Sequence, residues 1–344
     1  MYEQVIFPLL KRVDPETAHD RVLRLLALAQ SNWLGKQVLR LVAGSCPRQP
    51  VTLWGLTFPN VLGMAAGFDK DVRVAAGLGL LGFGHVEVGT LTPKPQAGNA
   101  RPRIFRLPED GAVINRMGFP NGGVAAALPR LVALGRRSRP FILGVSVGKQ
   151  KETPLAEAAG DYVAVMTAVY PYTDYLAVNI SSPNTPGLRE LQGGNYLGHL
   201  LATLAGERDR LAVEQGRKRP LLVKIAPDLD DRELDDILTA VSDTHIDGII
   251  ATNTTIQRVG LRASWQNETG GLSGRPLKEK SRQIVAAIHR RTQGKLPIIG
   301  VGGIETADDI KAMLDAGASL VQIYTSFIYY GPSLPGKLLR QLKG

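Results

Sequence analysis

The sequence predicts an α/β protein folded as a (β/α)8 TIM barrel, and three observations support this fold class. Eight short apolar runs that favour β-strands recur between residues 61 and 326. Stretches with apolar residues three and four positions apart, typical of helices, lie between the runs, as in residues 230–243 and 306–318. Strands that alternate with helices pair in parallel. A doubly wound parallel sheet is the alternative arrangement of the same elements.

The eight predicted strands share one property, because each run ends in glycine or polar residues. In chain order the runs cover residues 61–66, 85–90, 141–147, 175–182, 221–227, 248–254, 297–303 and 320–326. Strand ends of this kind meet on one face of a barrel, and that face carries the active site in enzymes of this fold. We therefore expect one pocket there, walled by all eight ends.

Two segments lie outside the repeat of strands and helices. Residues 91–140 form an insertion after the second strand, and their pattern predicts a hairpin followed by a helix. Residues 1–50 contain two candidate helices, at 16–30 and 32–44, and residues 51–58 predict a short strand that closes the barrel bottom. We predict an N-terminal helical segment at 1–50 and a catalytic barrel domain at 51–344.

Composition restricts the classes of function. The 344 residues include one cysteine, Cys46, so the sequence allows neither an internal disulfide nor a cluster of metal-binding thiolates. The five histidines are dispersed without metal-ligand spacing, so no metal is predicted. The formal net charge of +10 fits either a solvated basic surface or an anionic partner. The sequence has no nucleic-acid-binding motif, so nucleic acid is not an expected partner.

The N-terminal segment has an amphipathic pattern. Basic residues surround apolar positions that recur at helical spacing, namely Ala18, Val22, Leu25, Leu26 and Ala29. Such a helix pair either lies in the interface of an anionic bilayer or packs against the barrel. No apolar run reaches the roughly 18 residues of a spanning helix, and residues 1–16 lack the pattern of a signal peptide. Any contact with a membrane is therefore expected from the side.

Glycines at the last strand ends indicate a phosphate site. Loops after strands seven and eight of such barrels often bind phosphate through backbone N–H groups, which glycine allows to approach closely. The GVGG segment at 300–303 fits this role, although tight packing explains it equally well. The GLSG segment at 271–274 is expected to form a further glycine turn nearby. No GxGxxG motif follows a strand, which favours a monophosphate cofactor such as FMN over a nicotinamide dinucleotide.

Two lysines at strand ends have two interpretations each. Lys224 lies within an apolar strand, where an unpaired ammonium is costly, so it faces either an anionic cofactor or an acid such as Asp228. Lys70 either binds a substrate carboxylate or pairs with a neighbouring aspartate, Asp69 or Asp71.

Four asparagines lie near the same strand ends. Their amides offer donors and acceptors that suit a ring with alternating C=O and N–H groups, such as a pyrimidine dione. Turn formation is the alternative, and it is strongest for the asparagine that follows a proline. The four residues are Asn115, Asn179, Asn184 and Asn253.

Nine motifs occur in a distinctive order along nearly the whole chain. They are AAGFDKD, VEVGTLTPKPQAGN, INRMGF, VNISSPNTPGLR, VKIAPD, ATNTT, TGGLSGRPL, IIGVGGI and VQIYTSF. Together they resemble the dihydroorotate dehydrogenase family in its class 2, quinone-dependent form. The resemblance implies an FMN enzyme of de novo pyrimidine (UMP) synthesis that oxidises (S)-dihydroorotate to orotate and passes the electrons to a membrane quinone.

The resemblance also implies roles for individual residues. Ser182 is the expected catalytic base, which removes the C5 proton while a hydride leaves C6 for the flavin. Class 1 enzymes have a cysteine in this role, so the serine favours class 2. The expected FMN-binding residues are Ala66, Gly67, Thr90, Ser146, Asn179, Lys224, Thr252, Gly274, Gly303, Tyr324 and Thr325. The expected substrate-binding residues are Lys70, Asn115, Arg116, Met117, Gly118, Phe119, Asn179, Asn184, Asn253 and Thr254.

Three positions depart from the usual family pattern. Ser146 stands where asparagine is usual, which shortens a flavin contact or makes it water-mediated. Ser326 stands where glycine is usual, and serine would be strained there if the backbone required a positive φ. Pro120 replaces a common polar residue. We expect activity to survive all three changes.

The resemblance favours a membrane role for the N-terminal helices. It implies that they admit quinone through a tunnel lined by His19 and Arg106, on an anionic lipid surface at the cytoplasmic face of a bacterial inner membrane. We expect a monomer. One alternative, another FMN-dependent TIM-barrel oxidoreductase, would place histidine or cysteine at a working strand end, and none of the eight ends carries either. The other, a non-catalytic peripheral membrane barrel, would not require Ser182, Lys70 and Lys224 to face one cavity.

Overall fold

Eight parallel strands close into a barrel in the computed structural model, which describes residues 2–136 and 138–343. Each barrel strand pairs with the next along the chain, and the last pairs with the first. The predicted TIM barrel is confirmed, and the doubly wound sheet is excluded because an open sheet keeps two free edges. The barrel strands are β3 (Leu62–Met64), β4 (His85–Leu91), β7 (Ile142–Val147), β8 (Tyr175–Asn179), β9 (Leu221–Ile225), β10 (Gly248–Ala251), β12 (Ile298–Val301) and β13 (Leu320–Ile323).

Helices alternate with the strands and surround the barrel. Capping boxes begin two of them, since Asp230 and Glu233 exchange side-chain to backbone hydrogen bonds at α8, and Thr306 and Asp309 do so at α10. The α-helices are α1 (Phe7–Lys11), α2 (Pro15–Ser31), α3 (Trp33–Ala43), α4 (Ala75–Leu80), α5 (Gly123–Gly135), α6 (Ala158–Val169), α7 (Gly194–Gln215), α8 (Asp231–Asp243), α9 (Lys278–Arg291), α10 (Ala307–Asp315), α11 (Thr325–Tyr330) and α12 (Leu334–Lys343).

A hairpin covers the bottom of the barrel. Strands β1 (Val51–Leu53) and β2 (Leu56–Phe58) pair antiparallel, so the single strand predicted over 51–58 is wrong. The turn between them has Trp54 at a φ of 54°, a backbone conformation that is rare for a bulky residue and that the sequence therefore did not suggest. The indole nitrogen of Trp54 donates to the carbonyl oxygen of Asp247 at 2.7 Å, which holds the turn against the start of β10.

The insertion after β4 joins a distant segment in a small antiparallel sheet. Strands β5 (Ile104–Leu107) and β6 (Ala112–Asn115) form the predicted hairpin, and α5 follows as predicted. Strand β11 (Gly271–Gly274) pairs with β6, so the GLSG segment is a strand and not the predicted turn. This pairing places residue 271 opposite Asn115 and closes one side of the site.

The N-terminal segment forms a helical arm across the barrel. Helices α2 and α3 match the two predicted helices, and a π-helical turn (Tyr2–Ile6) with α1 precedes them without having been predicted. One face packs on the core through Leu23, Leu26 and Leu39, while Leu28 and Leu41 are exposed on the other. No described helix is both long and apolar enough to cross a membrane. The division of the chain at residue 50 stays a prediction.

The barrel bottom provides a test of core packing. A Cβ added at Gly63 would lie 2.1 Å from the buried His85 ring, whereas one at Gly160, in α6, would meet no atom within 4 Å. We expect Gly63→Ala to lower the free energy of unfolding by about 1–3 kcal/mol through overpacking. Gly160→Ala should leave stability unchanged or raise it by up to about 1 kcal/mol, because alanine favours helix. Urea unfolding measures both, and equal stability of the two variants would contradict this packing.

Candidate functional site

One cavity of about 440 Å³ opens at the carboxyl ends of the barrel strands and continues between the N-terminal helices. Nearly all of the predicted site residues line it, although they come from segments far apart in the sequence. They are Ser182, Ala66, Gly67, Thr90, Asn179, Lys224, Thr252, Gly274, Gly303, Tyr324, Thr325, Lys70, Asn115, Met117, Gly118, Phe119, Asn184, Asn253, Thr254, His19 and Arg106. Their individual roles stay predictions.

Two predicted residues do not line the cavity in the described part of the chain. Ser146 lies behind Thr90, and the two hydroxyl oxygens are 2.9 Å apart. The guanidinium of Arg116 pairs with Glu268 at 2.5 Å and lies over the ring of Phe105, 4.7 Å from its centroid. The end of β7 therefore supports the cavity wall through Thr90 instead of forming a wall itself, which corrects the expectation that all eight ends face the pocket.

The predicted asparagines form two hydrogen-bonded pairs across the site. Asn179 donates from Nδ2 to Thr90 Oγ1 at 3.0 Å, and its Oδ1 accepts from Asn253 Nδ2 at 3.4 Å. Asn184 donates from Nδ2 to Asn115 Oδ1 at 3.2 Å. Each pair joins two different loops, so these amides do more than form the local turns that were their alternative explanation.

Ser182 is buried at the cavity wall in the turn after β8. Its Oγ accepts a hydrogen bond from the backbone nitrogen of Asn184 at 3.3 Å. Arg189 anchors the turn, because its guanidinium donates to the carbonyl oxygens of Ser181 (3.1 Å) and Thr254 (2.9 Å) and pairs with Asp228 at 3.0 Å. The serine hydroxyl is thus held by the backbone and by a clamp across three strand ends.

Lys70 is half-buried at the cavity and lacks a carboxylate partner within ion-pair distance among the described residues. Its ammonium donates to the carbonyl oxygen of Gly67 at 2.7 Å. Asp69, a proposed partner, accepts instead from the backbone nitrogens of Arg73 (2.6 Å) and Val74 (2.7 Å). Burial lowers the pKa of Lys70 to about 8. At neutral pH the lysine remains mostly charged and is available to an anionic ligand.

Lys224 faces both the cavity and a buried acid. Its ammonium nitrogen lies 3.6 Å from Oε1 of Glu87, and both side chains are almost fully buried. The other oxygen of Glu87 accepts from the Tyr175 hydroxyl (3.1 Å) and from the Gln322 amide (3.0 Å). Burial and the nearby Glu87 charge raise the pKa of Tyr175 well above its usual value, so the phenol stays a donor. The acid beside Lys224 is therefore Glu87 and not Asp228.

An apolar channel leads from this polar end to the N-terminal helices. Ile6, Leu10 and Val22 line it, together with His19 and Arg106. Burial lowers the pKa of His19 to about 3, so the imidazole is neutral. Arg106 donates to the carbonyl oxygens of Leu10 (2.8 Å) and Val13 (3.2 Å). The cavity thus has one end rich in polar groups and another that is mainly apolar.

Comparison with known proteins identifies the family of proteins that share this chain's sequence pattern. The family model for dihydroorotate dehydrogenase matches residues 49–344. The chain belongs to the dihydroorotate dehydrogenase family. The resemblance predicted from the nine motifs is thereby confirmed, and the predicted oxidation of dihydroorotate is the reaction of the family to which the chain belongs.

The dihydroorotate dehydrogenase matches extend over the N-terminal helices as well as the barrel. Dihydroorotate dehydrogenase (quinone) of Chloroflexus aurantiacus is 50% identical, with 99% of this chain and 96% of that protein covered. The protein of the same name from Methylococcus capsulatus is 48% identical, with coverage of 99% and 98%. The crystal structure of DHODH from Eimeria tenella in complex with ferulenol has a TM-score of 0.88 at 41% identity, covering 96% of this chain and 90% of that one. The Chloroflexus and Methylococcus relatives bear the quinone-dependent name that the motifs predicted.

The dihydroorotate dehydrogenase family is flavin-dependent, and the residues present suit a flavin phosphate. Gly274 and Gly303 have φ angles of 98° and 68°, and an added Cβ would meet backbone atoms at 2.3 Å and 2.5 Å. Ser326 Oγ is buried in the cavity wall without a partner among the described residues. The strain considered for Ser326 does not arise, because it lies within helix α11. Glycine backbone at two points of the cavity wall, with the unpaired Ser326 hydroxyl in the same wall, is suited to hydrogen-bond a phosphate.

Sequence reasoning missed several residues that support this dihydroorotate dehydrogenase site. The sequence contained a signal for Glu87, because a charged residue within an apolar strand is unusual. The same signal identified Lys224. Arg189 and Asp228 occur inside the quoted motifs, but their contacts depend on loops that only the folded barrel brings together. No local pattern in the sequence identifies such a clamp.

The buried ion pair between Lys224 and Glu87 offers a test of its contribution to stability. Glu87→Gln leaves the Lys224 ammonium without its acid, so we expect the free energy of unfolding to fall by about 2–4 kcal/mol. The double variant Glu87→Gln with Lys224→Met should lose less than the sum of the two single changes, because the charges are coupled. Urea unfolding measures these values, with Glu214→Gln as control since its pair with Arg210 is half exposed on both sides. Strict additivity would show that the pair is not coupled.

Proposed function

We propose that this chain oxidises (S)-dihydroorotate to orotate with bound FMN and passes the electrons to a membrane quinone, in de novo pyrimidine synthesis. The proposal depends on one observation: in a chain of the dihydroorotate dehydrogenase family, a continuous cavity joins a polar end to an apolar end between the N-terminal helices. The polar end contains Ser182, Lys70 and Lys224. Such a cavity suits a polar substrate and an apolar electron acceptor that reach one redox group from opposite sides.

The polar end is equipped to orient dihydroorotate. Lys70 is mostly charged below about pH 8 and binds the substrate carboxylate, since it has no described carboxylate partner of its own. The amides of Asn115, Asn184 and Asn253 offer donors and acceptors to the ring C=O and N–H groups. These contacts place the C5 proton at Ser182.

Ser182 is the catalytic base that takes the C5 proton. A serine hydroxyl is a weak base at its ordinary pKa, so as its oxygen takes the C5 proton its own hydroxyl proton must pass to a nearby group or to a relaying water. Negative charge that develops on the oxygen then needs stabilisation. The backbone nitrogen of Asn184, 3.3 Å from Oγ, donates a hydrogen bond that favours this charge. Burial of the turn excludes bulk water from the reacting atoms, which strengthens that interaction.

The cofactor site lies between the two ends. Gly274, Gly303 and Thr325 would hold the phosphate end of FMN, and Lys224, its charge compensated by Glu87, would supply a cation to the flavin. The bound FMN supplies two-electron acceptance from the substrate and delivery to the quinone. Ser146 acts through Thr90, whose hydroxyl it contacts.

The apolar end admits the quinone from the membrane. Neutral His19, whose Nε2 lacks a described hydrogen-bond partner, and Arg106 provide polar groups for the quinone oxygens. The exposed face of the helical arm carries Leu28, Trp33 and Leu41, each at least 65% exposed. Apolar side chains among exposed basic residues suit peripheral binding to anionic lipid. We place this monomeric protein on the cytoplasmic face of a bacterial inner membrane.

A purified sample tests the reaction. The protein should be yellow, and dihydroorotate should bleach the flavin absorbance under anaerobic conditions. Ser182→Ala should retain the flavin but slow this reduction by a factor of about 10² or more, the effect typical of losing a general base. Stopped-flow absorbance measures the rate. A colourless protein, or a Ser182→Ala variant that reduces at the wild-type rate, would contradict the proposal.

Vesicle sedimentation tests the membrane face. We expect Leu28→Glu combined with Leu41→Glu to reduce binding to vesicles of anionic phospholipid by about tenfold or more, because charge replaces inserted apolar surface. Val213→Glu is the matched control, since Val213 is 87% exposed on α7, outside the arm. Both variants should reduce a soluble dye at the wild-type rate. Equal loss of vesicle binding in the control would disprove a specific role of the arm.

A further inference from the structure

Helix α2 carries a buried acid that faces away from the apolar channel. Glu16 is only 7% exposed, and its two carboxylate oxygens contact Arg103, at 2.6 Å from one terminal guanidinium nitrogen and 3.1 Å from Nε. Arg103 is itself 5% exposed and precedes β5. A buried bidentate ion pair of this kind fixes the orientation of the carboxylate and the guanidinium as well as the distance between them.

The same guanidinium organises the loop at residues 97–99. Its other terminal nitrogen donates to the carbonyl oxygens of Ala97 and Asn99, both at 2.7 Å. Gly98 between them has a φ of 77°, and an added Cβ would lie 2.8 Å from that nitrogen. The loop is therefore wrapped closely around Arg103, so the position of Arg103 determines where the loop lies.

Asn99 connects this loop to the turn that carries Ser182. Its Nδ2 donates to the carbonyl oxygens of Asn184 and Arg116, each at 3.0 Å. Asn184 in turn donates its backbone N–H to Ser182 Oγ and its side-chain amide to Asn115. Direct contacts thus lead without interruption from helix α2 to the proposed catalytic serine.

The Glu16–Arg103 pair also acts on Lys70 through its charges. Burial lowers the pKa of Lys70, the Glu16 carboxylate opposes that shift, and the Arg103 guanidinium adds to it. Removing the charge of Glu16 would leave Arg103 uncompensated and lower the pKa of Lys70 further. The titratable and charged groups that face Lys70 are Glu16, Asp20 and neutral His19 on α2, Asp71 on its own loop, and Arg103.

We infer that Glu16 is a positioning residue for the dihydroorotate end of the site. It holds the Asn184 turn through Arg103 and Asn99, and its negative charge favours the protonated form of Lys70. The N-terminal arm therefore serves substrate binding as well as the apolar channel. This inference rests on the proposed function, because it takes Lys70 and Asn184 as dihydroorotate-binding residues.

Titration of the full-length, flavin-loaded protein with orotate between pH 6 and pH 9.5 tests this role. We expect Glu16→Gln to weaken orotate binding about tenfold at pH 7, as for one lost charge-assisted hydrogen bond. As the pH is raised, orotate affinity should begin to decline at a lower pH in this variant than in the wild type, because Lys70 loses its proton earlier. Asn99→Ala removes the contact with Asn184 but leaves every charge in place. It should weaken binding without moving the pH at which affinity declines.

Arg101→Gln is the matched control, because Arg101 contacts the same Glu16 carboxylate at 2.9 Å while its side chain is 67% exposed. We expect its orotate affinity to stay within about twofold of wild type at every pH. Wild-type affinity and pH dependence in Glu16→Gln and Asn99→Ala, in a protein that still oxidises dihydroorotate, would overturn the inference. If Glu16→Gln does not fold, the orotate affinity of Asn99→Ala alone tests the inference, and wild-type affinity in that variant would overturn it. A wild-type protein that binds no orotate would remove the proposed function and this inference together.

Discussion

Closure of the parallel barrel is the constraint on which the functional site depends. A closed ring of parallel strands leaves no free edge and directs every carboxyl end to the same face. Lys70, Ser182 and Tyr324 therefore line one cavity although they are far apart in the sequence. The small sheet adds a side wall because β11 pairs with β6 in register. Backbone pairing thus sets the positions of the polar groups, and side-chain contacts then refine them.

The protein places its two site lysines in contrasting environments. Lys224 lies beside Glu87, which Tyr175 and Gln322 hold by hydrogen bonds, so its charge is compensated within the barrel. Lys70 has a carbonyl oxygen as its hydrogen-bond partner and a pKa lowered to about 8. A compensated lysine presents a stable charge to a cofactor, whereas an uncompensated one gains most from an arriving carboxylate. This contrast agrees with the roles proposed for the two residues.

Much of the fold could be predicted because barrel strands and helices have different hydrophobic periods, and each barrel strand overlaps its predicted run. The grouping of site residues also followed, since the strand-end rule applies to any closed parallel barrel. Their roles came from the family motifs. Strand β11 was missed because glycine and serine have low strand propensity, and its pairing with β6 overrides that preference. The Trp54 turn was missed for a similar reason, as an indole contact stabilises an unusual backbone conformation.

The sequence by itself determined the fold class, the family, and the set of polar groups offered at the strand ends, because periodicity and motif order can be read along the chain without knowing which segments meet. Only the tertiary structure decided which groups meet. It paired Lys224 with Glu87, placed Ser146 behind Thr90, turned Arg116 towards Glu268, and joined Glu16 to the Ser182 turn. Such contacts depend on the distances between segments more than fifty residues apart, and no pattern within one segment encodes them.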